Sequence, residues 1–467
     1  MTDQSPPLDL PLPGRRILPV VAPSGTTTAP LLLVLGYVVA TFLLFLLWPI
    51  DWPIYGAAAW ATLIGYVTLC LAVLTLGMRR GATGKTRVVA PLPALTLLLA
   101  AGAIASGLVL IPSTLAYTGR GPWELLEALA DQADAYKRLQ FQLFATAGQR
   151  TTIVALRTLV APLTYAVLPL GIIHWQRIGW IGRLSIFVVV ATAVVFSIMR
   201  GTDKEIADLI LVGLAASLVS FGRNIQSGAT WRGLAVRYWR PVLIGLVCLF
   251  LAQSLFTDRK DARLGGYVSR TAVCANNSRI CADLDSEAIA WLPLRQRFGA
   301  TVFILSASSG YYGLELAMEK PFEPTWGVGH SPAALSVYEA LTDDPTPRMR
   351  TFTYRNGEDH WSDEFYWSTL IAWIANDVGF VGAPFVLALI GLLWGLWWRE
   401  AVAGFSDCAA ILFVQATMMI FYLPANNQIL ASYEGYSVFA AWTAAWLWER
   451  SRRRVSAIVP VYELALA

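Results

Sequence analysis

The chain has 467 residues, of which 56% are hydrophobic and only 14% charged, with 19 tryptophans and a net charge of +4. A soluble globular chain carries about 25% charged residues, so this composition excludes an ordinary soluble domain and describes an all-α polytopic integral membrane protein. The small positive excess comes without a basic patch interleaved with aromatics, which excludes nucleic acid as a partner.

Residues 1–29 are Pro-rich and polar and read as a disordered cytoplasmic tail. No cleavable signal peptide is visible, so the first span serves as an uncleaved signal anchor. Apolar stretches follow at about 30–50, 54–77, 89–112, 152–173, 184–199, 206–222, 241–256, 378–398, 408–424 and 435–448. Most approach the ~20 residues needed to cross the hydrocarbon; 241–256 and 435–448 are short. The expectation is about ten transmembrane helices, helices 1–7 within 30–256 and helices 8–10 within 377–448, with a cytoplasmic tail at 449–467.

Lys and Arg placement sets orientation. Arg15 and Arg16, then Arg79, Arg80, Lys85 and Arg87, then Arg177 and Arg183 flank or fill alternate connections. Arg223, Arg232, Arg237 and Arg240, then Arg399, then Arg450 and Arg452 to Arg454 continue the pattern. All fall on one side if the ten spans alternate, which makes both termini cytoplasmic. Loops 113–150 and 257–376 then face outward, the second being long enough to translocate whatever its charge.

In loop 113–150, Leu125, Leu126, Leu129, Ala133, Tyr136, Leu139 and Leu143 recur at helical spacing, with Pro122 and Gly148 as punctuation. The spacing predicts one amphipathic helix on the outer membrane surface. The fourth span carries Arg157 about two turns from its outer end; such a residue either serves a site or snorkels to headgroups. Arg200, Asp203, Lys204, Glu205 and Asp208 crowd the turn between the fifth and sixth spans. Beside Arg157 they would make a cationic pocket suited to phosphate or pyrophosphate. The plainer alternative is local pairing of Lys204 with Asp203 or Asp208.

Cys70, Cys248 and Cys408 lie in or beside spans and read as apolar fillers. Cys274 and Cys281, in CANNSRIC of the long loop, make a local disulfide pair in an oxidising compartment. From Ala288 to Met318 the loop turns apolar and aromatic, as helices leaning on the membrane would be. The stretch Ser306 to His330 combines Gly310, Gly313, Gly327 and Gly329 with Tyr311, Tyr312, Phe322 and Trp326, and ends on His330, one of three histidines. Pro321 and Pro324 exclude a continuous helix there. Glycines that allow close backbone approach, aromatic faces and one imidazole suit a large polar ligand such as a sugar; the alternative is an Ω-like loop whose aromatics merely pack. Tyr354 to Trp367 then holds the densest run of ionisable and aromatic groups.

No P-loop, HExxH, CxxC or G-x-S-x-G pattern occurs, so neither NTP hydrolysis, a catalytic metal nor an esterase elbow is supported. Asp343-Asp344 lies in a Pro-rich turn and is a poor metal pair. What remains is chemistry on a substrate that carries its own leaving group, with Arg and Lys neutralising it. The base would be His330, Glu315 or Asp363.

The run YYGLELAMEKPFEPTWGVGHS, then YRNGEDHW, then WSTLIAWIANDVGFVGAPFVLALIGLLWG resembles the Wzy-type O-antigen and exopolysaccharide repeat-unit polymerases, over about a quarter of the chain. The resemblance implies a GT-C-like plan in the bacterial inner membrane, with a large periplasmic loop between helices 7 and 8. It implies metal-independent, inverting transfer of a glycan from undecaprenyl pyrophosphate to a lipid-linked repeat unit, without a cofactor. A chain-length regulator protein is a further partner. By that likeness Arg200 would hold pyrophosphate, His330 would stand near the acceptor hydroxyl, and Arg355 would be a second phosphate contact; Arg157, Lys204, Tyr311, Tyr312 and Trp326 complete the expected substrate-binding set. The related O-antigen ligases carry an H-S/N-x-x-L pattern, which His330-Ser331 with Leu335 misses by one residue. A lipid-linked oligosaccharide flippase or other transporter is the rival from another class, and a secretion-complex scaffold a third.

Overall fold

The structure is a computed structural model. It describes residues 20–21, 29–86, 94–145, 150–230 and 280–455 continuously, with short pieces at 88–89, 92, 233, 239, 256–258, 260–261 and 272–274. The expected seventh span at 241–256, except Phe256, lies outside the described residues, as do Arg232, Arg237, Arg240, Cys248 and most of the two tails.

Among the described residues six helices are long and apolar enough to cross a membrane. They are α2 (Ala57–Ala82), α3 (Leu95–Thr118), α6 (Thr151–Ile173), α7 (Trp180–Met199), α8 (Lys204–Gln226) and α14 (Leu370–Val402). Two shorter apolar helices flank them: Leu31–Leu47, whose first turn is a π-helix running into α1 (Gly36–Leu47), and α15 (Asp407–Phe421). The last helix, α16 (Tyr433–Val455), has charged ends and is not one of the six. The chain is therefore an all-α protein with spans of membrane-crossing length.

The centre of the bundle is the pair α2 and α14. Gly77 and Gly81 of α2, and Gly391 and Gly395 of α14, stand where a Cβ would collide with Ala388, Leu392, Leu74 and Met78 carbonyls of the facing helix. The contacts advance in step, 77 with 388 and 81 with 392, so the two helices run parallel. Lipid gives apolar helices no hydrophobic reason to pair, and small residues four apart supply close backbone packing instead.

Polar contacts gather the basic helix ends at one end of the bundle. Arg399 donates to the Thr83 carbonyl. Arg223 pairs with Asp407 at 3.1 Å and donates to the Ala401 carbonyl at 2.8 Å. His174 Nε2 lies 2.8 Å from the same Asp407, and Arg450 lies 3.6 Å from Glu400. Buried Arg223 and His174 share Asp407, and Arg223 also reaches the Ala401 carbonyl, which joins the ends of α6, α8 and α14 to the start of α15. At this end Val20–Val21 (β1) pairs antiparallel with Lys85–Thr86 (β2), so part of the expected disordered tail is a strand.

The opposite end carries the loops. The predicted single amphipathic helix is a 3-10 turn at Pro122–Glu124 followed by α4 (Leu125–Ala130) and α5 (Gln132–Ala145). Asp131 makes the break, because its carboxylate accepts from the Asp134 amide and caps the second helix. Ala128 and Ala135 bury against Met199, and Gly201, at φ 62°, backs onto the Gln132 carbonyl. This pair of helices thus packs over the 200–203 turn.

In the long loop, Ala272–Cys274 (β3) and Cys281–Asp283 (β4) form a hairpin closed by the Cys274–Cys281 disulfide. The hairpin docks on the segment after α1, where Asp51 N donates to Cys281 O and Asp283 N to Pro49 O. The apolar stretch is α9 (Leu294–Ser308) and α10 (Gly310–Met318), and α10 is buried from Gly310 to Ala317 inside the bundle mouth. Residues 319–330 run without helix past Pro321 and Pro324. Three helices follow: α11 (Pro332–Thr342), capped by Ser331, then α12 (Thr346–Arg350) and α13 (Phe352–Arg355). Helix α14 breaks at Gly379, whose φ of 67° is outside the helical region.

Candidate functional site

A cavity of about 470 Å³ opens among α3, α6, α7, α8 and the 428–438 segment. On α3 its lining runs from Ser106 to Tyr117, which at 1.5 Å per residue is about 16 Å of depth. The walls below the mouth are mostly apolar, with Val109, Val160, Val189 and Val212 among them beside the hydroxyls of Ser106, Thr164 and Thr192, and the charges stand at the mouth.

Arg157, Arg200 and Lys204 all line this cavity. Arg157 reaches it from the second turn of α6, Arg200 caps the C-terminus of α7, and Lys204 opens α8. The two guanidiniums share one aromatic floor: Arg157 lies 4.6 Å and Arg200 5.0 Å from the Phe196 ring centre, and both lie over Tyr117 at 5.6 and 5.4 Å. A guanidinium over a ring keeps its in-plane edge for oxygen partners, and Arg200 Nε is buried with no hydrogen-bond partner.

The pocket is not simply cationic. Arg157 pairs with Glu434 at 2.9 Å, Arg200 with Glu205, and Lys204 with Asp208 at 3.9 Å. Asp208 also accepts from Tyr422 Oη at 2.8 Å, and Glu205 from Thr202 Oγ1 at 2.9 Å. Three lining cations thus face three lining carboxylates. The expected surplus of positive charge is corrected to a balanced set, and the local pairing of Lys204 with Asp208 is present. The sequence reading missed Glu434 because it lies 277 residues from Arg157.

His330 is held from three sides. Its Nδ1 lies 2.8 Å from Asp377 Oδ2, its backbone N–H donates to the same oxygen at 3.0 Å, and its carbonyl accepts from Asn427 Nδ2 at 2.6 Å. Asp377 also accepts from the Gly329 amide at 2.8 Å and from Thr325 Oγ1. Asn376 beside it donates to the Gly329 carbonyl and accepts from the Phe352 amide, both at 2.8 Å. The Asn-Asp pair just before the Gly379 break therefore folds the 325–330 turn around itself. On its other nitrogen, Nε2, His330 is bonded to the Tyr436 hydroxyl. Tyr436 sits on the first turn of α16, beside Glu434 and Gly435, which line the cavity. His330 itself, 30% exposed, is not a lining residue.

The other expected ligand residues lie elsewhere. Tyr311 is 0% exposed; its hydroxyl donates to the Val38 carbonyl at 3.2 Å and its ring packs on Phe42 and Phe45. Tyr312 packs edge-on against Trp361 at 5.0 Å. Both are core residues, because Gly310 and Gly313 bring α10 against the Pro424 carbonyl and Trp361 rather than against a ligand. Trp326 is 70% exposed and stands off the cavity. Arg355 is tied to the loop by Glu323 at 3.0 Å and the Pro321 carbonyl at 2.7 Å. Glu315 is buried beside α10's aromatics; burial, then the nearby Glu319 and Asp359, pushes its carboxyl up to about 7. Burial also raises Asp363, against the pull of Arg348. Neither carboxyl lines the cavity.

Asp377 and Tyr436 carried a faint signal, Asn-Asp-x-Gly just before the eighth expected span and a tyrosine at the start of the last one, but nothing in the spacing ties either to His330. Among the described residues no group of three or more His, Cys, Asp or Glu is placed to hold a metal ion. No family model, curated protein or solved structure matches the chain.

Proposed function

We propose that the protein is a glycosyltransferase that joins polyprenyl-pyrophosphate-linked oligosaccharide repeat units at the outer face of a bacterial inner membrane. The observation that carries this reading is one cavity with two guanidiniums over a shared aromatic floor and an ammonium at its mouth, whose wall also bears Glu434 and Gly435, the residues just before the Tyr436 that is bonded to His330. A pyrophosphate at the mouth would exchange with Glu434, Glu205 and Asp208 for the cations, leaving the apolar walls below to take the start of a lipid chain. Arg200, with its unpartnered Nε, and Arg157 steady the leaving group as the C1–oxygen bond to pyrophosphate breaks. The acceptor oxygen attacks C1 from the opposite side, which inverts the anomeric centre, and its proton goes to the imidazole side of the site.

The ten-span topology belongs to the same proposal. The chain leaves α8 at the Arg223 end and re-enters at the hairpin docked on Pro49 and Asp51, at the other end. A crossing at 241–256 fits that route and keeps both termini cytoplasmic.

The test is purified full-length protein with a defined lipid-linked repeat unit, scored for a polymer ladder. Wild type should elongate and Arg200→Ala should not; a full ladder from Arg200→Ala removes Arg200 from the mechanism. A ligase would move the glycan to a different lipid acceptor, without a ladder. The one-for-one pairing of cations with carboxylates favours a second reading, a lipid-linked oligosaccharide transporter, since a balanced mouth can load and release an anion. In vesicles, movement of the lipid-linked unit between leaflets without new glycosidic bonds would establish it.

A further inference from the structure

The walls of the cavity are mostly apolar, but its lower end carries polar groups that nothing satisfies. Gln415 and Ser113 both line the cavity and are each 1% exposed, yet Gln415 Oε1 and Ser113 Oγ have no hydrogen-bond partner among the described residues. Ser106 and Thr192, also lining residues, meet at 2.6 Å. Thr192 gives its proton to the Val189 carbonyl at 2.9 Å, so Ser106 donates to Thr192 and keeps its own lone pairs for a further donor. These groups lie deep. Ser106 stands about 16 Å below Tyr117 along α3, and Thr192 about 12 Å below Arg200 along α7. Gln415 stands about 10 Å along α15 from Tyr422, whose hydroxyl bonds Asp208 one turn below Lys204. The hydrocarbon is about 30 Å thick, so the floor of the cavity is near its middle. Polar groups kept at that depth mark a ligand or a pathway by default.

The chemistry of these groups selects the ligand. A hydrocarbon chain packed down to the floor would strand Gln415 and Ser113 without partners. An anion only accepts, so it would meet the lone pairs of Ser106 and Gln415 Oε1. A cation would find the lining carboxylates at the mouth instead, where they pair with Arg157, Arg200 and Lys204. A hydroxyl both donates and accepts, so a group bearing several of them satisfies Ser106, Ser113 and both ends of the Gln415 amide. We propose that the floor of the cavity is a binding site for a neutral, hydroxyl-rich group, the sugar of a lipid-linked saccharide whose pyrophosphate lies at the mouth. From the glycosyl-transfer reading this keeps only the anion at the mouth. It goes beyond that reading because the saccharide, and not the lipid chain alone, reaches below the arginines. The valines flank the apolar faces of the sugar, and Gln415 and the serines take its hydroxyls.

The test titrates full-length wild type and Gln415→Leu with two probes, farnesyl pyrophosphate, which carries no sugar, and a lipid-linked repeat unit. The substitution keeps the bulk of the side chain and removes its hydrogen bonds. It should weaken binding of the saccharide-bearing probe by about tenfold, the size of one or two neutral hydrogen bonds, and leave farnesyl pyrophosphate unchanged. Tighter binding of farnesyl pyrophosphate by the variant, or equal effects on both probes, overturns the sugar site. A second measurement needs neither that variant nor any lipid. Gln415→Cys and, as a lipid-facing control, Leu108→Cys, at a position 72% exposed on α3, are treated from the outer side with a sulfonated, membrane-impermeant thiosulfonate. Wild type, whose Cys70 and Cys408 are buried, is the background. Gln415→Cys should react and Leu108→Cys should not; an unreactive Gln415→Cys shows a floor closed to polar molecules and overturns the proposal. A polymer ladder from wild type with no effect of Gln415→Leu on the saccharide-bearing probe sinks the floor site and leaves glycosyl transfer standing. Failure of wild type to bind either probe removes the mouth as an anion site, and the functional reading and the sugar site fall together.

Discussion

Glu315 offers a test of the loop that is independent of any substrate. Its side chain is buried on α10, and burial, helped by the Glu319 and Asp359 carboxylates, raises its pKa from 4.5 to about 7. A folded-state pKa above the unfolded one means the folded state holds the proton more tightly. Its contribution is fully present below about pH 4.5 and is lost as pH rises through about 7. The difference of 2.5 units between those values corresponds to on the order of 3 kcal/mol at most, at 1.36 kcal/mol per unit. Glu315→Gln is the matched variant, because the amide has the shape of the protonated acid and cannot ionise. In detergent, thermal unfolding of wild type and variant should coincide near pH 4.5, and the variant should become the more stable by up to about 3 kcal/mol at pH 8. Two curves that fall in parallel from pH 4.5 to 8 would show that Glu315 ionises freely, and the burial of α10 in the bundle mouth would have to be abandoned.

Gly81→Leu puts a side chain into the Leu392 carbonyl at the parallel α2–α14 pair, so it should lower the unfolding temperature or the folded yield. An overpacking cost of about 1–3 kcal/mol or more is expected, and Gly65→Leu, where a Cβ meets nothing, is the control; equal stability of the two variants rejects the packing. Asp377→Asn removes the charge that four donors from Thr325, Gly329 and His330 converge on, so protease cleavage within 319–330 should speed by about tenfold. Unchanged cleavage rejects Asp377 as the organiser of that turn. Glu434→Gln leaves Arg157 without its carboxylate partner. This pair is only partly buried, so a gain of about fivefold in pyrophosphate affinity, near 1 kcal/mol, is the expected size; weaker binding by the variant rejects Arg157 as an anion contact.

The bundle was legible in the residue pattern because crossing a membrane constrains composition directly. Stretches of apolar residues such as 54–77 and 152–173 had to be helices, since lipid satisfies no backbone group. Their registers came within a few residues of α2 and α6. The turn charges were legible as well: Arg200 and Lys204 stand four apart across a tight turn, so any fold of that turn places them together. Helix length placed Arg157 near the same depth, and the packing of α6 beside α7 decided that it shares the Phe196 ring with Arg200. The broken loop helix escaped notice because Leu and Ala spacing carries across Asp131, whose capping of the following helix is a local backbone choice.

Sequence by itself determined that the chain is an all-α membrane protein with basic connections separated from a loop rich in aromatics and ionisable groups, because hydropathy and charge act residue by residue. Only the tertiary structure decided which of those loop groups meet. Tyr311 and Tyr312 went to the core because glycines beside them admit a facing backbone. His330 met Asp377 and Tyr436 because a glycine break in α14 and the entry into α16 bring together segments 47 and 106 residues away in the chain. Such pairings depend on how helices pack, and packing is a property of surfaces that no local pattern of residues encodes.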